Sequence, residues 1–225
     1  MSCHPYDVMA AQRLLPVLRH PDADEAVRHT TALLAAGCRA VELTTSTPAW
    51  ADALARTLPL RDAHGRRAVV GVGTVTTSAQ AETALDAGAA FLISPYPAPE
   101  VREVAERREA VFIEGGFTPG EIASAVRAAG AAKVFPAHVG GPGFIRSLRA
   151  VLPEAVLIPT GGIRPAEVPG WLAAGATAVG IGSGLPGQPG ELAALFAALA
   201  QPLGPLGPAG RAGLCCDGCC ARSPR

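Results

Sequence analysis

Lysine is almost absent from this chain: Lys133 stands alone against eighteen arginines. Aromatic residues are scarce too, at 4% of 225 residues, and the apolar content is largely Ala, Val and Leu with abundant Gly. Small aliphatic side chains of this kind suit helices packed closely on a parallel sheet. The formal net charge is zero and the arginines are scattered, which excludes the basic footprint of a nucleic-acid binder. No apolar run has the length of a membrane span. The opening Met-Ser-Cys-His-Pro-Tyr-Asp has no basic segment leading into an apolar one, so no signal peptide is expected and a cytoplasmic location follows.

Cysteine is confined to six positions. Cys3 and Cys38 are isolated, and the rest form Cys215-Cys216-Asp-Gly-Cys219-Cys220 near the end. A Gly- and Pro-rich stretch with Pro202, Pro205 and Pro208 precedes them and reads as a linker. Cys216-x-x-Cys219 has the spacing of half a zinc site or a redox pair. An unstructured appendage is the simpler reading, and no metal is expected. The chain therefore divides into one domain over 1–201, long enough for a sizeable core, and a flexible C-terminal tail over 202–225.

Within the domain, short apolar runs alternate with amphipathic segments. Leu14–Leu18 is the first strand candidate, followed by a helix over Asp22–Ala36 with Gly37 as its stop. Further strands are expected at Ala40–Leu43, Ala68–Gly71, Ala90–Ile93, Ala110–Ile113, Ala132–Phe135, Ala155–Ile158 and Thr177–Gly180. Helices are expected from about Pro48, Ser78 (as N-cap), Ala98, Thr118, Phe144, Pro165 and Glu191. Thr118-Pro-Gly-Glu121 has the spacing of a capping box with proline at the first helical position. Eight strand–helix units in about 200 residues predict an α/β chain folded as a (β/α)8 TIM barrel, with a doubly wound open sheet as the alternative.

In such a barrel the C-terminal ends of the strands carry the chemistry. Arg19 follows the first strand, Glu42 lies in the second, and Thr74, Pro95 and Glu114 close the third, fourth and fifth. Lys133 lies in the sixth; Thr160-Gly161-Gly162 and Gly182-Ser183-Gly184 close the last two. Lys133 reads either as a nucleophilic amine that forms a Schiff base or as a chance surface residue in an arginine-rich chain. Glu42 faces away from Val41 and Leu43, into the interior, where it is either structurally paired or poised for proton transfer. The fork of Arg19 suits a substrate carboxylate or a rim salt bridge. The two glycine turns match the loops that often bind phosphate in barrels, although each alone is an ordinary tight turn.

Taken in order, Pro16-Val-Leu-Arg19, Ala40-Val-Glu-Leu-Thr44, Val70-Gly-Val-Gly-Thr-Val75, Phe91-Leu-Ile-Ser-Pro95, Lys133-Val-Phe-Pro136, Pro159-Thr-Gly-Gly-Ile163 and Gly180-Ile-Gly-Ser183 resemble the class I aldolases of 2-keto-3-deoxy-6-phospho sugar acids. The resemblance runs from about Leu14 to Leu185. It implies a retro-aldol cleavage to pyruvate and glyceraldehyde 3-phosphate, with Lys133 as the imine-forming residue and Glu42 moving protons. It further implies Arg19 and Thr74 on the pyruvyl carboxylate, Gly161, Gly162 and Ser183 on the phosphate, and Pro95 and Phe135 completing the substrate site. No cofactor is implied, and family members are typically homotrimers.

Several positions depart from the family pattern. Ser46 stands where the gluconate-type enzymes carry an arginine, and Val41–Trp50 is closer to the galactonate-type branch, whereas Pro159-Thr-Gly-Gly162 is closer to the gluconate type. His20 replaces a usual glycine. Glu114 replaces a usual proline and offers a second carboxylate at the mouth. Tyr96 and His138 are further unfamiliar side chains nearby. The competing readings are an aldolase for an unphosphorylated keto acid such as 4-hydroxy-2-oxoglutarate, and a non-catalytic sugar-phosphate-binding barrel.

Overall fold

The computed structural model describes residues 4–200. The tail and its Cys216-x-x-Cys219 spacing lie outside the described residues. Helix α1 (Pro5–Gln12) comes first, a helix the apolar periodicity does not announce. The alternation then follows: β1 (Leu14–Leu18), α2 (Ala23–Ala35), β2 (Ala40–Thr44), α3 (Trp50–Thr57), β3 (Val69–Gly73), α4 (Ser78–Asp86), β4 (Leu92–Ile93), α5 (Pro99–Arg107), β5 (Phe112–Ile113) and β6 (Gly115–Gly116). It continues with α6 (Pro119–Ala129), β7 (Ala131–Val134), α7 (Ala137–Val151), β8 (Val156–Pro159), a 3-10 turn (Pro165–Glu167), α8 (Val168–Ala173), β9 (Val179–Ile181) and α9 (Pro189–Ala200).

Every pairing between these strands is parallel. One sheet runs β5-β4-β3-β2-β1-β9 and a second runs β6-β7-β8. Only Glu114 separates β5 from β6, and an isolated parallel bridge between Thr160 and Gly180 links the end of β8 to β9. The result is an α/β fold on a curled, half-barrel sheet. The fifth expected strand, Ala110–Ile113, is observed as β5, and just beyond it the ladder changes partner at Glu114: β5 pairs with β4, and β6 with β7. Beyond it, the Gly115 amide donates to the Ser94 hydroxyl at 3.1 Å, a side-chain substitute for a backbone acceptor.

Alternation along the strands builds two cores. Leu14, Val41, Leu43, Val70, Val72, Ala132 and Val134 pack outward under the helices. Leu15, Ala40, Phe91, Ile93, Ile113, Ala131, Ile158 and Ala178 pack inward against one another and against Val8 and Met9 of α1. Helix α1 therefore closes the N-terminal end of the interior. Gln12 secures it: its amide oxygen accepts from the Arg39 and Ala40 backbone N–H groups at 2.6 and 2.9 Å, and its nitrogen donates to the Ala40 carbonyl at 2.9 Å.

Local signals explain most helix ends. Asp22 caps α2 through the Glu25 amide at 2.7 Å, and the Thr118–Glu121 capping box forms as expected. Thr77, not Ser78, caps α4, accepting from the Gln80 amide, so the cap lies one residue earlier than the sequence suggests. Helix α7 begins at Ala137 rather than near Phe144. It consists of two helical pieces meeting at Gly141 (φ 64°, ψ 179°), and the Gly140-Gly-Pro-Gly143 composition disguises the first piece as loop.

Candidate active site

Two residues beyond Ala40 and Ala131 on the inward face stand Glu42 and Lys133. Lys133 Nζ donates to Glu42 Oε1 at 3.4 Å, with both residues buried, at 5% and 0% exposure. Ion pairs out of water seldom stabilise a fold, because desolvation offsets the attraction. A buried, perturbed pair of this kind is a candidate for chemistry. Burial pushes the Glu42 carboxyl above its ordinary 4.5, with Lys133 and then Arg19 partly offsetting the rise. Its other oxygen, Oε2, is buried and has no hydrogen-bond partner among the described residues.

Glycines make room around the pair. In register, Val17, Glu42 and Gly71 are neighbours on one side, and Gly115, Lys133 and Ile158 on the other. A Cβ on Gly71 would lie 2.2 Å from the Phe91 ring, which fills the floor beneath. One on Gly73 would lie 1.7 Å from Glu42 Oε1. The sequence places Gly71 and Gly73 at the end of the third strand, with no role assigned to Gly73 as a shaping residue. The signal was present, since a glycine inside an apolar strand marks close approach of another group.

Arg19 lies at the end of β1, exposed, and makes no salt bridge among the described residues, so the rim-bridge reading does not hold. Its Nε donates to Ser46 Oγ at 2.8 Å. Thr74 follows β3 with φ at 59°, a left-handed value that is a strained outlier for a β-branched residue. Its carbonyl accepts from the Thr45 hydroxyl at 2.7 Å. The loop after β2 thus reaches the two residues expected at the pyruvyl carboxylate.

Phe135 follows β7, 36% exposed, with Lys133 Nζ 5.6 Å from its ring centroid. Pro95 packs its backbone against Gly115, where a Cβ would lie 2.4 Å from the Pro95 carbonyl carbon. Glu114 corrects the expectation of a second carboxylate at the mouth. Its oxygens accept from the Ala98 amide at 2.7 Å and from Arg102, on the helix side of the sheet. Strand alternation explains the placement, since its neighbour Gly115 takes the inward position beside Lys133. Tyr96 is 55% exposed at the end of the β4 segment, and its carbonyl accepts from Ser94 Oγ.

The two glycine turns stand side by side because the Thr160–Gly180 bridge joins their strands. Gly161 and Gly162 have φ of 99° and 71°, conformations that side chains resist. Phe135 covers Gly161 and His138 covers Gly162, at 2.9 and 2.7 Å from the position a Cβ would take. Ser183 is exposed in the second turn. A cavity of about 410 Å³ lies beside the first turn, lined by His138, Pro142, Gly162, Glu167 and Trp171 among others. No cluster of three or more His, Cys, Asp or Glu among the described residues is arranged to hold a metal ion.

A family model for KDPG and KHG aldolase matches residues 6–190. The chain belongs to the KDPG and KHG aldolase family. The 2-dehydro-3-deoxy-6-phosphogalactonate aldolase of Escherichia coli (strain K12) is 33% identical over 174 residues, 76% of this chain and 83% of the relative. A crystal structure of Legionella pneumophila KDPG aldolase, with pyruvate captured at low pH as a covalent carbinolamine intermediate, has a TM-score of 0.76 at 27% identity, over 88% of this chain and 99% of that one. The 2-keto-3-deoxy-6-phosphogluconate aldolase of Zymomonas mobilis ZM4 with 3-phosphoglycerate likewise has a TM-score of 0.76 at 27% identity, over 87% and 94%. As an aldolase-family chain, the protein offers one amine side chain at its site, and that amine faces a carboxylate.

Proposed function

We propose that this protein is a class I aldolase that cleaves a 2-keto-3-deoxy-6-phospho sugar acid, of the phosphogluconate or phosphogalactonate type, to pyruvate and glyceraldehyde 3-phosphate. The observation that carries the reading is the buried Lys133–Glu42 pair, 3.4 Å apart, within an aldolase-family chain. Lys133 Nζ, having given up a proton, adds to the C2 carbonyl. Loss of water from the carbinolamine leaves an iminium. Glu42 takes the proton of the C4 hydroxyl, directly or through water, as the C3–C4 bond breaks. The bonding electrons move into the iminium and the aldehyde departs. Protonation of the resulting enamine at C3, then hydrolysis, releases pyruvate and the amine. The unpartnered Glu42 Oε2 supports the proton-transfer role, because a buried acceptor without a donor has capacity for the substrate hydroxyl or its water.

Arg19 and Thr74 hold the pyruvyl carboxylate in this reading. Gly161, Gly162 and Ser183 hold the phosphate through bare amides and a hydroxyl, and Pro95 and Phe135 line the site between. The bound 3-phosphoglycerate of the Zymomonas mobilis relative and the left-handed glycines support a phosphorylated substrate. Counting β5 and β6 as one interrupted strand gives eight, which supports a complete (β/α)8 barrel. A cytoplasmic homotrimer is the assembly proposed.

Borohydride reduction with pyruvate tests the chemistry. It should fix one adduct on Lys133, and Lys133→Arg should abolish both adduct and turnover, because a guanidinium forms no such imine. Folded protein that takes no adduct would sink the mechanism. Comparing kcat/KM on phosphorylated substrates and on 4-hydroxy-2-oxoglutarate then decides the substrate class. Equal values would remove the phosphate site from the account.

A further inference from the structure

The last residue of β2 and the loop after it present four consecutive hydroxyls, Thr44, Thr45, Ser46 and Thr47, and each meets a residue at a neighbouring strand end. Thr44 Oγ1 donates to the Leu18 carbonyl at 2.9 Å. Thr44 and Ser46 hydroxyls are 2.9 Å apart, and Arg19 Nε donates to Ser46 Oγ at 2.8 Å. Thr45 holds the Thr74 carbonyl, and Thr47 Oγ1 accepts from the His20 amide at 3.1 Å.

The direction of the first three bonds is forced. A hydroxyl has one proton. Thr44 spends its proton on Leu18, whose carbonyl can only accept. Thr44 Oγ1 must therefore accept from Ser46, which leaves Ser46 Oγ only as an acceptor toward Arg19. Protons point one way along Arg19, Ser46, Thr44 and the Leu18 carbonyl, and the chain ends beside its own start, since Leu18 and Arg19 are consecutive. Such a closed circuit fixes a long side chain that is otherwise exposed. It also occupies Nε, which leaves the two terminal nitrogens as the donors for an incoming carboxylate.

We propose that Ser46 is a positioning residue that, through this one-way hydroxyl relay to Thr44 and the Leu18 carbonyl, aims the Arg19 guanidinium end-on at the carboxylate of the bound keto acid. The inference rests on the aldolase reading and deepens it. Where the gluconate-type pattern places an arginine at position 46, this chain has a hydroxyl that steers an arginine arriving from β1.

The test is a double-mutant cycle read as the pyruvate concentration giving half-maximal borohydride trapping, with kcat and KM for cleavage in parallel. Ser46 is exposed, so Ser46→Ala keeps the fold. It should raise the half-maximal pyruvate concentration and KM about tenfold, the scale of a hydrogen bond to a charged group, with kcat at saturation unchanged. Ser46→Thr, which restores the hydroxyl, should recover the wild-type values. In an Arg19→Ala background, Ser46→Ala should add nothing. An equal penalty in both backgrounds, or no penalty in the wild-type background, overturns the relay while leaving the aldolase reading standing. A wild-type protein that traps no pyruvate overturns both.

Discussion

Gly73→Ala is the smallest substitution that separates the placement of Glu42 from its presence. The added methyl would sit 1.7 Å from Glu42 Oε1 and 2.4 Å from its carboxyl carbon. Ordinary carbon–oxygen contact requires about twice the first distance, so the carboxylate must withdraw by roughly 1.7 Å. The 3.4 Å contact with Lys133 has no slack to absorb that movement, being at the outer limit of a hydrogen bond already. Misplacing a catalytic group by about 1 Å costs on the order of 100-fold in rate, within the roughly 100- to 10,000-fold range of a whole proton-transfer group. The expected outcome is a fall in kcat of about 100-fold, approaching that of Glu42→Gln. Overpacking should cost a further 1–3 kcal/mol or so of stability, visible as a lower urea midpoint in a protein that still folds. The atoms nearest the added methyl all belong to Glu42, so pyruvate should still be trapped on Lys133 by borohydride. Steady-state cleavage, trapping yield and urea denaturation on one preparation decide the matter. A folded Gly73→Ala protein with wild-type kcat would refute the claim that Glu42 works from this position.

The titration of Glu42 should be visible in stability as well as in rate. Its folded carboxyl is pushed above 4.5, so in the window above that pH the folded protein keeps a proton that the unfolded chain has lost. Stability therefore falls as pH rises through this window, and the wild type should lose ground against Glu42→Gln in paired thermal melts from pH 4.5 upward. Melting curves that stay parallel across that range would reject the shift. Glu114→Gln should behave in the opposite sense to an active-site change, costing about 2 kcal/mol in urea denaturation through loss of the charge-assisted bond to the half-buried Arg102 while kcat holds. A stable but slow Glu114→Gln protein would return that carboxylate to the mouth.

What the sequence discloses follows the range of its signals. Strand positions are readable from apolar runs, and the inward direction of Glu42 follows from its apolar neighbours Val41 and Leu43, which do pack outward. Lys133 is readable because composition isolates it. Helix α1 escapes because only Val8 and Met9 are buried on it, too few for a periodic stripe, and its role depends on an interior assembled from strands far along the chain. Glu114 is misread for a related reason. Its position at a strand end is correct, but which face it takes depends on the one-residue break between β5 and β6, set by where the ladder changes partners. Polar relays such as Arg19–Ser46–Thr44 join residues up to 27 apart and have no local pattern.

The scarcity of lysine acquires a physical reading at this point. Wherever this chain needs only a positive charge, as in the exposed pairs of Arg56, Arg107 and Arg108, it uses arginine, whose fork makes more hydrogen bonds than an ammonium. At position 133 that preference would fail. The side chain enters an interior at 5% exposure, where a permanent charge would keep its desolvation cost and a guanidinium could not act as nucleophile. The proposed mechanism needs an amine there, one that can act as a nucleophile beside a carboxylate 3.4 Å away. The glycines at 71, 73 and 115 belong to the same argument, since each yields its side-chain space to a close neighbour: the Phe91 ring, the Glu42 carboxylate and the Pro95 backbone. The site is thus assembled from groups that weaken a fold taken singly, and the well-packed interior beneath, from Phe91 down to Met9, supplies the stability that lets them stay together.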